Sequence, residues 1–423
     1  MPPHWHGDRR TCHSVLTAHA ADVVLTMTGP PMPDGAVVVD GDRVVAVGPA
    51  RAVVPDGARV RRHRGVLLPG LVNAHAHLEY GPRFADLATS GLAFPAWIAE
   101  LTRRRRGMSA GDWLVEARGS VHALLRTGTT CVADVVTTGP GIRAAALAGL
   151  AGTSYVEAVG ADDASWPLER ARVEAVLEAG GRPVGLSPHT LYTLSSEAFR
   201  DCCRLARARG LRLHPHLAET AEEAELVLSG TGAFADALRG IGLAHDLLAV
   251  GSGRTPAEQA DALGGLGPDV HVAHGVHLSA GDRALLRARG TAVALCTRSN
   301  AVLQAGRAPV AALLAEGSPV ALGTDSLASS PDLDLLAEAV ACRALALEQG
   351  AAADGLAERL VRALTVDGAA AIGADAGVLA VGARADLAVM DVPAGPDPYA
   401  ALLDHGVGRC TATVVAGRLV HRR

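Results

Sequence analysis

The sequence contains no lysine, and all 39 of its basic residues are arginine. A chain without lysine cannot form a Schiff base with a carbonyl substrate, which excludes pyridoxal-phosphate enzymes. It also lacks the lysine that a phosphate-binding P-loop requires. Schiff-base chemistry and a P-loop site are therefore excluded.

Aromatic residues make up only 3% of the chain, and the formal net charge is −5. Few aromatic side chains are available to stack on bases, and the acidic balance gives no general attraction to phosphate backbones. We therefore expect a small-molecule substrate and no nucleic-acid partner. The hydrophobic content of 49% is ample for a large core built mostly from Ala, Val and Leu.

The seven cysteines are scattered without CxxC spacing, which favours reduced thiols and a cytoplasmic location. No charge-free apolar run approaches the roughly 18 residues of a membrane span. Residues 1–20 contain four histidines but no apolar signal-peptide core, and we interpret them as a flexible leader.

Short β-rich segments occur at both ends of the chain, and eight β-then-α units lie between them. This pattern predicts a (β/α)8 TIM barrel over 71–374, with a small β-sandwich domain built from 21–70 and 375–423. The predicted barrel strands are Leu67–Ala74, Thr129–Val135, Ser154–Val159, Val184–Ser187, Leu211–His214, Val270–Ala273, Ala292–Leu295 and Val320–Gly323.

The first predicted strand ends in a His-x-His pair, His75 and His77. Side chains two apart on a strand point to the same side, so the two imidazoles enter one space. Two such rings make half of a site for zinc or another first-row metal. A pair of unrelated histidines is the alternative, and further ligands on other strands decide between the two.

Polar residues follow other strands where a barrel places its active site, at the carboxyl ends. They are His189 after strand four, His216 and Glu219 after strand five, His274 after strand six and Asp325 after strand eight. Other polar residues have simpler interpretations. We expect His214, His271 and His277 to lie in the core or behind the ligands, and Arg103–Arg106 to form a solvated helix face.

Four motifs in order resemble those of the amidohydrolase superfamily: His-x-His, His-Leu-Ala-Glu-Thr (216–220), Ala-His-Gly-Val-His-Leu (273–278) and Gly-Thr-Asp-Ser (323–326). The likeness covers nearly the whole chain from Ala21. Within the mononuclear deaminase branch, four further segments are similar to the aminodeoxyfutalosine deaminases of menaquinone synthesis: Asn73–Tyr80, Phe94–Ile98, Tyr155–Gly160 and Arg254–Glu258. The family's usual proline after Cys296 is replaced here by Thr297, which puts the shape of that loop in question.

The resemblance implies a role for each motif residue. The implied metal ligands are His75, His77, His216 and Asp325; the implied catalytic residues are Glu219 as proton shuttle, His274 as the group that orients the attacking hydroxide, and Asp325 as acceptor of the water proton. The candidate substrate-binding residues are Glu79, Phe94, Trp97, Glu157 and His189. Phe94 and Trp97 could equally pack a helix onto the barrel.

The resemblance implies a hydrolytic deaminase of a 6-aminopurine nucleoside, in which metal-bound hydroxide attacks C6 and ammonia leaves. The favoured substrate is 6-amino-6-deoxyfutalosine. Two-metal relatives commonly bridge their ions with a carboxylated lysine, which this chain lacks, so we expect one divalent metal, Zn²⁺ or else Fe²⁺. The alternatives are an adenosine, methylthioadenosine/S-adenosylhomocysteine or guanine deaminase, a triazine-type or imidazolone-type ring hydrolase, and a non-catalytic binding barrel. A homodimer is plausible.

Overall fold

The computed structural model of the chain describes residues 16–178, 180–240 and 242–423. These contain fifteen strands, described here in chain order: β1 (Thr17–Val24), β2 (Met32–Asp40), β3 (Arg43–Pro49), β4 (Arg59–Pro69), β5 (Leu71–Ala76), β6 (Thr129–Val136), β7 (Ala151–Ala158), β8 (Val184–Pro188), β9 (His216–Leu217), β10 (His271–His274), β11 (Ala292–Leu295), β12 (Val320–Leu322), β13 (Leu387–Met390), β14 (Cys410–Val415) and β15 (Arg418–Arg422).

The two ends of the chain pair in one seven-stranded sheet, in the order β15-β14-β13-β4-β1-β2-β3. Its central strands, β4 and β13, pair antiparallel, which ties the C-terminal part of the chain to the N-terminal part. The sequence predicts a β-sandwich here, but the described residues form a single sheet. The domain boundaries at 70 and 375 stay a prediction.

The remaining strands form two parallel four-stranded sheets, β5-β6-β7-β8 and β12-β11-β10-β9. Single bridges through Leu213 link the two sheets on one side, to Leu186 and to Val270. On the other side the Asp325 amide donates to the His75 carbonyl at 3.0 Å. The predicted barrel thus corresponds to two half-sheets with irregular seams rather than one continuous closed sheet. The predicted fifth strand is reduced to the Leu213 bridge and the short β9.

The apolar run that predicts one strand over 67–74 is divided at Gly70. The Gly70 amide donates to Asp386 in the seven-stranded sheet, whereas the next amide, of Leu71, donates to Gly128 beside β6. A Cβ at position 70 would lie 2.1 Å from Thr130 Oγ1, so only glycine allows this close approach. Gly70 is therefore the residue at which the chain leaves the seven-stranded sheet and enters the parallel sheet that begins with β5. Periodicity alone does not predict this division.

Most of the helices follow the parallel strands and bury their apolar sides against them, whereas α1 and α17 follow strands of the seven-stranded sheet. In chain order, the helices of the described residues are α1 (Ala50–Val53), a 3-10 helix (Pro82–Thr89), α2 (Phe94–Arg105), α3 (Ala110–Arg126), α4 (Gly139–Ala148), α5 (Trp166–Leu177), α6 (Ser196–Ala208), α7 (Ala221–Ser229), α8 (Ala233–Gly240), α9 (Asp246–Val250), α10 (Pro256–Ala262), α11 (Ala280–Arg289), α12 (Thr297–Val302), α13 (Val310–Ala315), α14 (Leu335–Glu348), α15 (Leu356–Ala363), α16 (Val366–Ile372) and α17 (Pro398–His405). Among the described residues, no helix has the length and apolar character needed to cross a membrane.

The predicted leader, 1–20, lies mostly outside the described residues. Its last four residues, Thr17–Ala20, belong to β1 and pair with β2 and β4, so that part of the prediction is wrong. His19 is buried there, and its Nδ1 lies 3.1 Å from His63 Nε2 on β4. This part of β1 has the sequence Thr-Ala-His-Ala, which has little strand propensity, and composition alone therefore suggested a leader.

Candidate metal centre and active-site cavity

The candidate site lies where the parallel strands end and the chain turns into loops. Three residues other than glycine have positive φ at these turns: Ala218 (53°), His274 (71°) and Asp325 (59°). The left-handed region is strained for side chains with a Cβ, and such residues concentrate at functional sites. The strained turns direct the side chains of His274 and Asp325 inward, beside His75 and His77 of β5.

His75 is fully buried, and its hydrogen bonds determine which ring nitrogen is free. His214 Nδ1 lies 2.8 Å from the His271 carbonyl, which can only accept, so His214 Nδ1 carries the proton. His214 Nε2 is then an acceptor, and His75 Nδ1, 2.8 Å away, must donate to it. The His75 Nε2 lone pair is left pointing into the site, where it has no hydrogen-bond partner within the described residues.

The same argument applies to His216, whose Nδ1 lies 3.3 Å from the His189 carbonyl. With the proton on Nδ1, the lone pair of His216 Nε2 faces His77 Nε2 at 3.1 Å. Burial and the neighbouring histidines hold the pKa of His216 well below its ordinary value, so a second proton does not fill the gap. The two ring nitrogens are close enough for one cation to be coordinated by both when His77 Nε2 is also unprotonated.

Asp325 supplies the negative charge at this point. Its Oδ1 lies 3.8 Å from His75 Nε2 and 3.9 Å from His77 Nε2, while its Oδ2 accepts a 2.7 Å hydrogen bond from Ser299. Three imidazole nitrogens and one carboxylate are the ligand types that suit zinc and similar divalent metals. The orphaned His75 nitrogen and the converging donors therefore fit a divalent cation.

Two further groups, His274 and Glu219, lie beside these four residues, and His274 is itself close enough to His75 and His216 to share an ion with them. His274 Nδ1 contacts the Asn300 amide oxygen at 3.0 Å, so it carries the proton, and its Nε2 faces Glu219 Oε1 at 3.5 Å. Burial raises the pKa of Glu219, against the opposing effect of His274. The Glu219 backbone is fixed by Glu223, which accepts from the amides of Glu219 and Ala218 at 2.8 and 3.0 Å. This arrangement places the Glu219 carboxyl next to the His274 imidazole.

A cavity opens from these groups, with one wall mainly apolar. Phe94 and Trp97 of α2 both line it. Their rings stack at 6.2 Å, and Phe94 meets Phe234 edge-on at 6.2 Å. Trp97 also donates from its indole nitrogen to the Ala328 carbonyl at 2.9 Å. Both interpretations of these aromatics thus apply together, because the residues pack α2 onto the loops and present a flat apolar surface to the cavity.

The lining of the cavity also includes two polar residues, Glu157 and His189. Glu157 Oε1 is buried without a hydrogen-bond partner among the described residues, and it lies 3.9 Å from His189 Nε2. Burial raises the pKa of Glu157 to about 7. These two residues are therefore available to a ligand.

Glu79, in contrast, is not among the residues that line the cavity. Its carboxylate accepts hydrogen bonds from the backbone and hydroxyl groups of Thr137 and Thr138, at the end of β6. We therefore interpret Glu79 as a residue that fastens β5 to the β6 loop. The expectation that it lines the substrate pocket came from its sequence position next to His77, and the chain has already turned away there.

Other residues in the site were missed by the sequence analysis as individual functional groups. They are Ser299 and Asn300 on α12, Glu223 on α7 and Arg105 at the end of α2. The Cys296–Asn300 motif marks the α12 pair in the sequence, and its threonine at 297 leaves both contacts in place. Nothing in the sequence distinguishes Arg105 from the arginines beside it.

Comparison with known proteins identifies a family for this chain. Residues 66–420 match the model of the family described as Amidohydrolase family. The 5-methylthioadenosine/S-adenosylhomocysteine deaminase of Halobacterium salinarum is 34% identical over 381 residues, covering 85% of this chain and 81% of the relative. The aminodeoxyfutalosine deaminase of Deinococcus radiodurans is 34% identical over 343 residues, covering 77% of this chain and 79% of the relative.

Two solved structures share the fold over almost the whole chain. Helicobacter pylori aminofutalosine deaminase, in complex with methylthio-coformycin, superposes with a TM-score of 0.80 at 18% identity, covering 96% of this chain and 100% of that one. An adenosine deaminase from Xanthomonas campestris with bound zinc superposes with a TM-score of 0.77 at 24% identity, covering 96% and 93%. At these identities the likeness establishes the fold alone.

Proposed function

The chain belongs to the amidohydrolase family, as its motifs predicted, and it is a hydrolase of the class that acts on C–N bonds. From this premise we propose that it is a metal-dependent hydrolytic deaminase of a 6-aminopurine nucleoside. The observation that carries the proposal is the buried His75 Nε2 lone pair, which converges with His77, His216 and Asp325 directly beside Glu219.

We propose that His75, His77, His216 and Asp325 hold one divalent cation, zinc or else Fe²⁺. Such a cation supplies Lewis acidity, which makes water nucleophilic near neutral pH. His214 fixes the tautomer of His75, and the His189 carbonyl does the same for His216. Ser299 occupies one Asp325 oxygen, so the other remains directed at the two histidines. The absence of lysine supports a single ion, since no carboxylated lysine can bridge a pair.

Glu219 is placed to move protons. Burial raises its pKa, which favours the protonated carboxyl, so it can protonate N1 of an aminopurine. The carboxylate that remains can then take up a proton released by the attacking water and pass it to the departing ammonia. Asp325 can accept the proton of the attacking water. His274 has its proton fixed on Nδ1 by Asn300, which leaves Nε2 to accept a hydrogen bond from that water.

We propose 6-amino-6-deoxyfutalosine as the substrate. The Deinococcus relative has the matching name, whereas the Halobacterium relative is named for methylthioadenosine and S-adenosylhomocysteine. The flat apolar wall of Phe94 and Trp97 suits an extended nucleoside substituent, and the free oxygen of Glu157 can accept from hydroxyls of the sugar. These features support the choice over guanine or a triazine, which carry no sugar.

The test is ammonia release from metal-loaded enzyme, with kcat/KM compared across aminodeoxyfutalosine, methylthioadenosine, S-adenosylhomocysteine, adenosine and guanine. We expect aminodeoxyfutalosine to be the best of the five and guanine to be inactive. A preference for guanine, or no activity on any 6-aminopurine nucleoside, would refute the substrate class and leave the family assignment unchanged.

We also infer that the two parallel half-sheets work as one (β/α)8 barrel. The bridges through Leu213 and the Asp325–His75 hydrogen bond support closure at both seams. Closure brings the ends of β5, β9, β10 and β12 around one space, as the ligand set requires.

A further inference from the structure

The four arginines Arg103–Arg106 are consecutive in the sequence but have different environments. Arg103 binds Glu100 through two hydrogen bonds of 2.7 Å at the surface, and Arg104 bridges Glu100 and Asp86. These two agree with the predicted solvated helix face. Arg105, the last residue of α2, is the exception because its side chain lines the active-site cavity.

The surroundings of Arg105 leave most of its hydrogen-bonding capacity unused. Its Cζ lies 5.5 Å from the ring centroid of Tyr80 and 5.9 Å from that of Trp113, so the guanidinium is held against two aromatic faces. Among the described residues, this side chain makes one hydrogen bond, in which Nη2 donates to Thr137 Oγ1 at 3.2 Å. No carboxylate of the described residues lies within 4.0 Å of the guanidinium.

Arg105 lies in the cavity one ring away from the proposed metal ligands, because Tyr80, against which it packs, stacks on His77 at 5.5 Å. Glu157 lines the same cavity, as do Phe94 and Trp97 near the other end of α2. Glu157 can accept a hydrogen bond and Arg105 can donate one, so a ligand that contacts both must present a donor to Glu157 and an acceptor to Arg105.

A guanidinium fixed by aromatic rings presents a planar pair of donors that match a carboxylate. We propose that Arg105 binds a carboxylate on the substituent that the nucleoside substrate carries beyond its sugar. The inference rests on the proposed deaminase function and narrows its substrate class. S-adenosylhomocysteine and aminodeoxyfutalosine carry such a group, whereas adenosine and methylthioadenosine do not.

The test measures kcat/KM of the wild type, Arg105→Met and Arg105→Lys on matched substrate pairs. One pair is S-adenosylhomocysteine and methylthioadenosine, and the other is aminodeoxyfutalosine and its methyl ester. We expect Arg105→Met to lose about 10- to 100-fold on the carboxylates, mainly through KM, and to change less than about threefold on the neutral partners. Arg105→Lys keeps the positive charge but not the planar pair of donors. We expect its kcat/KM on the carboxylates to lie between those of the wild type and Arg105→Met.

Arg103→Met is the matched control, because it removes an arginine of the same helix whose partner is at the surface. Circular dichroism and metal content show whether each variant is folded and loaded. Equal losses on carboxylates and neutral partners, in both Arg105 variants, would overturn the Arg105 assignment alone. A wild type inactive on every nucleoside would overturn the proposed function and this inference together.

Discussion

Two buried groups of histidines in this molecule have similar distances and different chemistry. At the candidate metal centre, His77 and His216 approach to 3.1 Å, and in the seven-stranded sheet His19 and His63 approach to the same distance. Burial is the main cause of a lowered pKa in both groups. Proximity and burial alone therefore do not identify a metal site.

The difference lies in the surroundings. The centre has a carboxylate, Asp325, and a His75 nitrogen left without a partner. The sheet pair has Arg61 nearby, whose charge lowers the pKa of His19 and His63 further, and its two rings can satisfy each other through one hydrogen bond. A cation is attracted to the first group and repelled from the second.

The largest effect that tests this comparison is expected for Asp325→Asn. Loss of the carboxylate removes the only anionic ligand, so both bound metal and deaminase activity should fall to background. The matching change in the sheet, His19→Gln, should leave one metal per chain and full activity. Elemental analysis and ammonia release measure both quantities. Stoichiometric metal in Asp325→Asn, or two essential ions per wild-type chain, would contradict the ligand assignment.

A smaller effect is expected for Glu219→Gln, because Glu219 is outside the ligand set. The variant should keep its metal and fold but lose about 10²- to 10⁴-fold in kcat, the usual contribution of positioned proton transfer. Glu222→Gln, three residues away and exposed on α7, is the matched control. Near wild-type turnover in Glu219→Gln would mean that another group moves the protons.

His214→Leu should have an intermediate effect on metal affinity alone. His214 accepts from His75 Nδ1, and partners of this kind typically contribute about 10- to 100-fold to affinity. The control is His277→Leu, whose ring contacts the Ala305 carbonyl instead. Competition with a chromogenic chelator gives the dissociation constants. If the two variants held metal equally well, orientation of His75 by His214 would be unimportant.

Whether a site residue could be predicted from the sequence depends on the element that carries it. His75, His77, His216, Glu219, His274 and Asp325 occupy strand ends, so strand periodicity and motif order sufficed to group them. The environment of Glu79 depends on where the loop after β5 turns, and that of Arg105 depends on where α2 ends. Neither turn has a local signal, which is why one residue was expected in the cavity and the other on the surface.

The fold follows the same rule. Alternating β and α segments predicted the parallel strands, but the division at Gly70 depends on a contact with Thr130, sixty residues away in sequence. The pairing of the chain ends in one sheet rather than a sandwich depends equally on distant partners. The strands, the residues at their ends and the pairing of the two chain ends were predictable from the sequence, whereas the division between sheets and the exact strand order were not.

The smallest effect concerns stability and belongs to the histidine pair without a metal. The pKa of His19 is lowered from 6.5 to about 3, chiefly by burial. Above pH 6.5 the side chain is neutral in the folded and unfolded states alike, and its titration has no effect on stability. Between pH 6.5 and 3 only the unfolded state binds the proton, so the free energy of unfolding falls as the pH falls.

For a single group this amounts to about 2 kcal/mol between pH 7 and pH 5, at about 1.4 kcal/mol for each unit below 6.5. We expect His19→Leu to reduce the pH dependence of the free energy of unfolding by that amount, measured by urea denaturation of the metal-loaded protein. His122→Leu, on the exposed side of α3, should leave the dependence unchanged. If the free energy of unfolding of the wild type and of His19→Leu had the same pH dependence, the folded sheet would bind a proton at His19 already at pH 5. Burial would then not keep this histidine pair neutral.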